Sequence, residues 1–206
     1  MISTYIFDFG NVLTRFDNME LTAACVKDPA LWQEISEVVF DRLYWDRLDA
    51  GTITDEEVKA AICSRLSADK AELGCRVFDS WVDNLPPIPG MPELVAELKR
   101  SGAKLYLLSN ISETFAKGYN RVPWIREVFG LFDGLVFSGL LGLTKPGRDI
   151  FEYLLDKYEL SAEECLFIDD SPINIEGACA VGIEGYLFDG NVEKLREYFQ
   201  QKNDVC

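Results

Sequence analysis

Leu105-Tyr106-Leu107-Leu108 is apolar at every position. A strand with no polar face must be covered on both sides, which is the condition of a strand inside a parallel sheet. Leu135-Val136-Phe137, Leu166-Phe167-Ile168 and Gly185-Tyr186-Leu187-Phe188 read as further strands, and Ser3-Thr4-Tyr5-Ile6-Phe7 as a first one built from aromatic and β-branched residues. Helical stripes lie between them. Pro92 opens a helix at its first turn, Leu94 and Leu98 share one face, and Gly102 stands just past the end. Ile150, Phe151, Leu154, Leu155 and Tyr158 form a second stripe. Strands alternating with helices over short links imply a doubly wound parallel α/β sheet with right-handed crossovers.

From Asn18 to about Asn84 the pattern is different: rich in helix formers, with no alternating strand. Within it, Thr54-Asp55-Glu56-Glu57 reads as a capping box. Leu85-Pro86-Pro87-Ile88-Pro89-Gly90 is a stiff re-entry segment and the clearest boundary in the chain. The expected organisation is a Rossmann-like core of residues 1–14 and 88–206, with an α-helical cap of residues 15–87 inserted after the first strand.

Composition narrows the chemistry. The 206 residues contain no histidine, which excludes Ser-His-Asp and Cys-His catalysis and histidine-ligated zinc. A net charge of −15 without a basic run argues against a nucleic-acid partner. It also means that any anion site must be built locally, from a cation, a lysine and backbone amides. No apolar run is long enough to span a bilayer and no basic flank opens the chain, so no membrane partner and a cytoplasmic location are expected. The six cysteines (Cys25, Cys63, Cys75, Cys165, Cys179, Cys206) show neither CxxC nor metal spacing and read as reduced core thiols. Trp45 is likewise expected in the core rather than in a substrate lid.

The strand ends carry the polar groups. The first strand ends at Asp8, the second at Ser109-Asn110 and the fourth at Asp169-Asp170, and Thr144-Lys145-Pro146 follows the third. In a parallel sheet these ends share one edge, where such sheets bind their ligands. Asp8 is placed to act as nucleophile or metal ligand. Asp8 with one or both of Asp169 and Asp170 supplies hard oxygens suited to Mg2+, and Gly10 can turn its carbonyl to the same ion. Ser109 can donate to a phosphate oxygen, and Lys145 can supply the counter-charge. Gly139 to Lys145 lacks the glycine before and the hydroxyl residue after the lysine that a Walker motif needs. The assembly suits phosphoryl transfer through an aspartyl-phosphate.

Phe7-Asp8-Phe9-Gly10-Asn11-Val12-Leu13, Leu108-Ser109-Asn110, Lys145-Pro146 and Ile168-Asp169-Asp170, with Asn174 and Gly177-Ala178, resemble the four motifs of the haloacid dehalogenase superfamily, in order and across the whole chain. Asp49 to Glu56 resembles a segment of its helical cap. With the asparagine variant of the first motif, the chain is similar to the bacterial α-D-glucose-1-phosphate phosphatases. The resemblance implies Asp8 as nucleophile and magnesium ligand, the Gly10 carbonyl as a second ligand, and Asp170 as the main ligand of the fourth motif with Asp169 beside or behind it. It implies that Ser109, Asn110 and Lys145 hold the phosphoryl group of a small phosphorylated metabolite, a hexose 1-phosphate for example, and that the cap excludes bulk water.

One position departs from the family. Its phosphatases carry a second aspartate two residues after the nucleophile, as general acid and then base, and here Gly10 stands there. Losing such assistance lowers rates by about 10²–10⁴-fold. A sugar 1-phosphate softens the loss, because its hemiacetal oxygen leaves readily. Asp17, at the entry to the cap, and Asp46 within it are the candidate substitutes, and neither is expected to be essential. Two other functions remain open: metal-independent carbon–halogen hydrolysis on Asp8, and binding of a phosphorylated metabolite without turnover.

Overall fold

The computed structural model of the chain describes residues 2–204. Its five strands are β1 (Thr4–Phe7), β2 (Lys104–Ser109), β3 (Gly134–Phe137), β4 (Cys165–Asp169) and β5 (Glu184–Leu187). They form one sheet in the order β3-β2-β1-β4-β5, and every pairing is parallel. All five follow the apolar runs, with ends shifted by a residue or two: β1 begins after Ser3, and β5 starts at Glu184.

Alternate residues of the inner strands bury on opposite faces, as the pleat requires. Ile6, Tyr106, Leu108 and Phe167 face one core, closed by Ile150, Phe151 and Leu154 of the helix Arg148–Tyr158 and by Ala178 of the helix Pro172–Cys179. Tyr5, Phe7, Leu105, Leu107 and Ile168 face the other, closed by the helices Met91–Arg100, Pro123–Phe129 and Val192–Asp204. Ile6 and Phe7 are wholly buried. Each such side chain contributes about 1.5–3 kcal/mol through burial.

Five helices fill the stretch between β1 and Leu85: α1 (Asn18–Cys25), α2 (Trp32–Val39), α3 (Arg42–Asp49), α4 (Asp55–Arg65) and α5 (Ala68–Ser80). The capping box forms at the start of α4. The Thr54 N–H donates to Glu57 at 2.9 Å, and the Glu57 N–H donates to the Thr54 hydroxyl at 3.2 Å. The chain enters and leaves this bundle by two segments fastened to each other. Ile88 N–H donates to the Leu13 carbonyl at 3.0 Å, and the Thr14 hydroxyl donates to the Pro86 carbonyl at 2.7 Å. Above this fastening an aromatic cluster runs from bundle to sheet. Trp45 packs on Phe16, Phe40 and Trp81, and Trp81 stacks on Phe115 at 5.7 Å. Trp45 is buried, and its indole N–H donates to the Val39 carbonyl at 2.6 Å.

The cysteines correct the reading from composition. Among the described residues all are free, but Cys165 alone is buried; Cys63 and Cys179 are exposed, and Cys25 and Cys75 are half-buried. Cys206 lies outside the described residues. Cys63 and Cys75 sit at outward positions of α4 and α5, which hydrophobicity alone does not distinguish from inward ones. No described helix is long and apolar enough to cross a membrane.

The turn after β3 (Ser138–Leu140) is wedged against the loop after β2, and Gly139 makes this possible. A Cβ there would lie 2.6 Å from the Glu113 nitrogen and 2.8 Å from the Ile111 oxygen, both backbone atoms. We expect Gly139→Ala to lower stability by roughly 1–3 kcal/mol, read as a fall in the urea midpoint at unchanged m-value.

Candidate active site

The register of β1 sets the site. Phe7 is level with Leu107 of β2 and Ile168 of β4. Asp8 therefore emerges from the middle of the sheet, its N–H donating to the Ile168 carbonyl at 2.9 Å. The loop then winds tightly, with the Leu13 and Thr14 N–H groups both donating to the Phe9 carbonyl. Asn11 holds the turn at φ 53°, a conformation asparagine tolerates. Its side-chain oxygen accepts the Phe16 N–H at 3.0 Å. Beside Asp8, a Cβ on Gly10 would meet nothing within 4 Å, so this side of the carboxylate is open.

Lys145 is 4% exposed and is the centre of the arrangement. Its Nζ lies 2.6 Å from Asp169 Oδ2 and 2.8 Å from Asp8 Oδ1. The contact with Asp169 is a directed hydrogen bond, whereas Asp8 Oδ1, though buried, has no hydrogen-bond partner. The Asp169 oxygens are further occupied by the Ser171 N–H at 2.8 Å and by the Asn174 amide at 3.0 and 3.1 Å. Asn110 fixes the lysine from behind, donating to the Lys145 carbonyl at 2.9 Å and accepting its N–H at 2.8 Å. The Asn110 carboxamide thus clasps the lysine backbone, while the residue lines the cleft.

These contacts set the charges. Burial pushes the Asp8 carboxyl up to about 6, against the pull of Lys145 and with Asp169 adding to the rise. Burial also works against the Lys145 ammonium, but Asp8 and Asp169 outweigh it and hold its pKa above the usual lysine range. Burial and then Asp169 raise the Asp170 carboxyl. One oxygen from each of Asp8, Asp169 and Asp170 falls within a 4.8 Å group. The donors are all hard oxygens beside an open cleft, and Asp8 Oδ1 meets only the Lys145 ammonium, without a directed hydrogen bond, so the set fits a divalent ion such as Mg2+. With Asp169 engaged by Lys145, Ser171 and Asn174, Asp8 and Asp170 would be the carboxylates to hold it.

All of this faces a cleft of about 580 Å³. Asp8, Gly10, Ser109, Asn110, Lys145 and Asp170 line its sheet side, while Asp169 lies fully buried beneath. The opposite wall comes from the helical bundle: Phe16, Arg42, Trp45, Asp46, Asp49 and Trp81. Asp46 reaches the cleft but pairs with Arg42 at 2.6 Å. Asp17 does not line it; its carboxylate caps α1, accepting the Glu20 N–H at 2.9 Å. Arg42 and Trp81 had no signal beyond membership of a helical stretch, and Asp49 only its place at the head of the segment that resembles a family cap.

Removing the lysine leaves two buried carboxylates facing each other. We expect Lys145→Ala to cost roughly 3–5 kcal/mol near neutral pH. A carboxyl with a raised folded-state pKa binds its proton in the fold, so the penalty is full above that pKa and fades below it. The destabilisation should therefore shrink as the pH falls to about 5, measured by urea unfolding at both pH values.

Residues 2–182 match the family described as haloacid dehalogenase-like hydrolase. The chain is 28% identical over 180 residues to a sesquiterpene phosphatase of Aspergillus oryzae, spanning 87% of this chain and 86% of that protein. It is 26% identical over 200 residues to a D-ribitol-5-phosphate phosphatase of Bacteroides thetaiotaomicron, spanning 90% and 91% of the two. A solved Bacteroides thetaiotaomicron HAD family enzyme, in complex with magnesium and inorganic phosphate, has a TM-score of 0.70 at 22% identity over 95% of this chain and 99% of that one. A dehalogenase structure also reaches 0.70, at 18% identity over 89% and 83%. These last two show likeness of fold. With the sheet order, the strand-end carboxylates and the match over residues 2–182 in agreement, the chain belongs to the haloacid dehalogenase-like hydrolases.

Proposed function

We propose that this hydrolase is a magnesium-dependent phosphatase of small phosphate monoesters, working through an aspartyl-phosphate on Asp8. The observation that carries the reading is Asp8 itself: a buried carboxylate with one oxygen lacking a hydrogen-bond partner, facing a cleft beside a buried ammonium. When bound between Asp8, Asp170 and the Gly10 carbonyl, Mg2+ neutralises phosphoryl charge and lets an anionic nucleophile meet an anionic ester. Lys145 screens the same oxygens from the other side. Ser109 and the backbone amides after Asp8 orient the phosphoryl group, and Asn110 keeps Lys145 in place. The bundle of residues 15–87 acts as the cap whose closure excludes bulk water.

The acidic pair argues against carbon–halogen hydrolysis, since without a cation Asp169 and Asp170 place unneeded negative charge beside the nucleophile. The intact Asp8–Lys145–Asp169 cluster argues against a binding role without turnover. A hexose 1-phosphate fits the Gly10 substitution, because its leaving oxygen departs readily. A second substrate class is favoured by the bundle wall: Phe16, Trp45 and Trp81 present aromatic surface to the cleft and suit a monoester with an apolar body. The likeness to a sesquiterpene phosphatase supports the same class.

Phosphate release should be measured on sugar phosphates and terpenyl phosphates, with magnesium and with chelator. We expect magnesium-dependent turnover that Asp8→Asn abolishes, and the preferred ester decides between the two classes. Absence of release from every ester at high enzyme concentration contradicts the phosphatase reading. Magnesium should also raise Tm, and by more at about pH 7.5 than at about pH 5, because protons compete with the cation for Asp8 and Asp170.

A further inference from the structure

Breaking a phosphate ester of an ordinary alcohol leaves an alkoxide, which departs readily when a proton reaches it in the same step. The sheet edge has no group free to give that proton. Asp8 attacks, the oxygens of Asp169 are filled by Lys145, Ser171 and Asn174, and Asp170 stands with the cation ligands. Beside Asp8, Gly10 offers open space and no side chain. The acid must come from the opposite wall, where the bundle brings two carboxyls into the cleft. Asp46 is exposed and paired with Arg42. Asp49, one turn further on, is half-buried and has no ion pair at that distance.

The structure fixes Asp49 more firmly than a mobile wall needs. The Ser138 hydroxyl, wholly buried in the turn after β3, donates to the Asp49 carbonyl at 2.5 Å and accepts the Ile111 N–H at 2.9 Å. Two residues on, Gly51 (φ 65°) runs so close to this turn that a Cβ would lie 2.6 Å from the Gly139 oxygen. The end of α3 is therefore docked on the core at the cleft, through one hydroxyl that also ties down the loop after β2. Burial pushes the Asp49 carboxyl up to about 7; Arg42 opposes the rise, Asp46 and Asp8 add to it, and Lys145 opposes it weakly. A carboxyl in that range holds a proton near neutral pH and can release it.

We propose that Asp49 is the general acid of this enzyme, with Ser138 as the residue that positions it. The inference rests on the phosphatase reading and deepens it. As an Asp8 oxygen bonds to phosphorus, the P–O bond to the substrate breaks; its electron pair stays on the leaving oxygen, which takes the Asp49 proton and departs as the alcohol. In the second step a water oxygen bonds to phosphorus and gives its proton to the Asp49 carboxylate. The Asp8–phosphorus bond breaks, its electrons return to the Asp8 carboxylate, and inorganic phosphate leaves. Both groups end as they began.

The test compares two leaving groups, phenyl phosphate and p-nitrophenyl phosphate, with magnesium, on the unaltered chain and on Asp49→Asn, each first checked for an unchanged thermal melt. Phenolate needs the proton far more than p-nitrophenolate does. We expect Asp49→Asn to lower kcat/KM for phenyl phosphate, which reports the steps through loss of the alcohol, by about 10²–10³-fold, a loss at least about tenfold greater than that for p-nitrophenyl phosphate. The fall of phenyl phosphate turnover at basic pH, where an acid of raised pKa ionises, should disappear in the variant. Equal losses of kcat/KM on both esters, or no loss on phenyl phosphate, overturn the assignment. If the unaltered chain releases phosphate from neither, the failure is that of the phosphatase reading itself.

Discussion

A single ammonium, that of Lys145, makes this sheet edge possible. Asp8 and Asp169 leave adjacent central strands in register, so the fold forces two carboxylates together in a place water scarcely reaches. Uncompensated, such a pair is strongly unfavourable, and one of the two would take up a proton. Lys145 at 2.6 and 2.8 Å, its backbone clasped by Asn110, places one positive charge between them. The compensation is uneven. Asp169 is saturated with donors and serves as a fixed counter-charge, while Asp8 keeps one oxygen without a hydrogen-bond partner. That asymmetry separates the two carboxylates into a support and a reactive group.

The second constraint is geometric. The chain leaves the sheet after β1, builds five helices and returns over a proline-rich segment fastened to its own exit. The bundle thus hangs over Asp8 and touches the core again where Trp81 stacks on Phe115, where Asp83 pairs with Arg121, and where the Ser138 hydroxyl donates to the Asp49 carbonyl. The cleft lies between these contacts and the sheet edge. Its one wall is polar and rigid, set by strand ends; its other wall is aromatic and carries the remaining carboxyls. In the proposed reaction, chemistry on phosphorus falls to the first wall, and the body of the substrate and its leaving oxygen to the second.

Much of the sheet side was legible in the chain. Apolar runs ending in Asp8, Ser109 and Asp169 mark strands whose ends must converge, because parallel order puts them on one edge. Lys145 was not legible from local pattern, since a lone lysine in a loop looks like a solvated one, and its place came from its position after the third strand, on the edge that parallel order shares. The clasp of Asn110 on Lys145 was not legible, because it depends on the path of the Lys145 loop. Asp17 was singled out at the bundle entry and Asp46 within the bundle, yet Asp17 caps α1 and Asp49 holds the half-buried place. Which carboxylate of a short helix faces a cleft depends on how that helix docks, and here a buried serine 89 positions away decides it. The cysteines failed for the same reason: burial is a property of a face, and composition does not assign faces.

The central claim is that Asp8 carries the phosphoryl group. It is tested most directly by quenching the enzyme with borohydride during turnover of a monoester, which reduces an acyl phosphate to the alcohol, and then sequencing the peptides by mass. The account predicts homoserine at position 8, only with substrate and magnesium present, and unmodified aspartate at positions 49, 169 and 170. Full turnover with aspartate intact at position 8, or homoserine at another position, contradicts it.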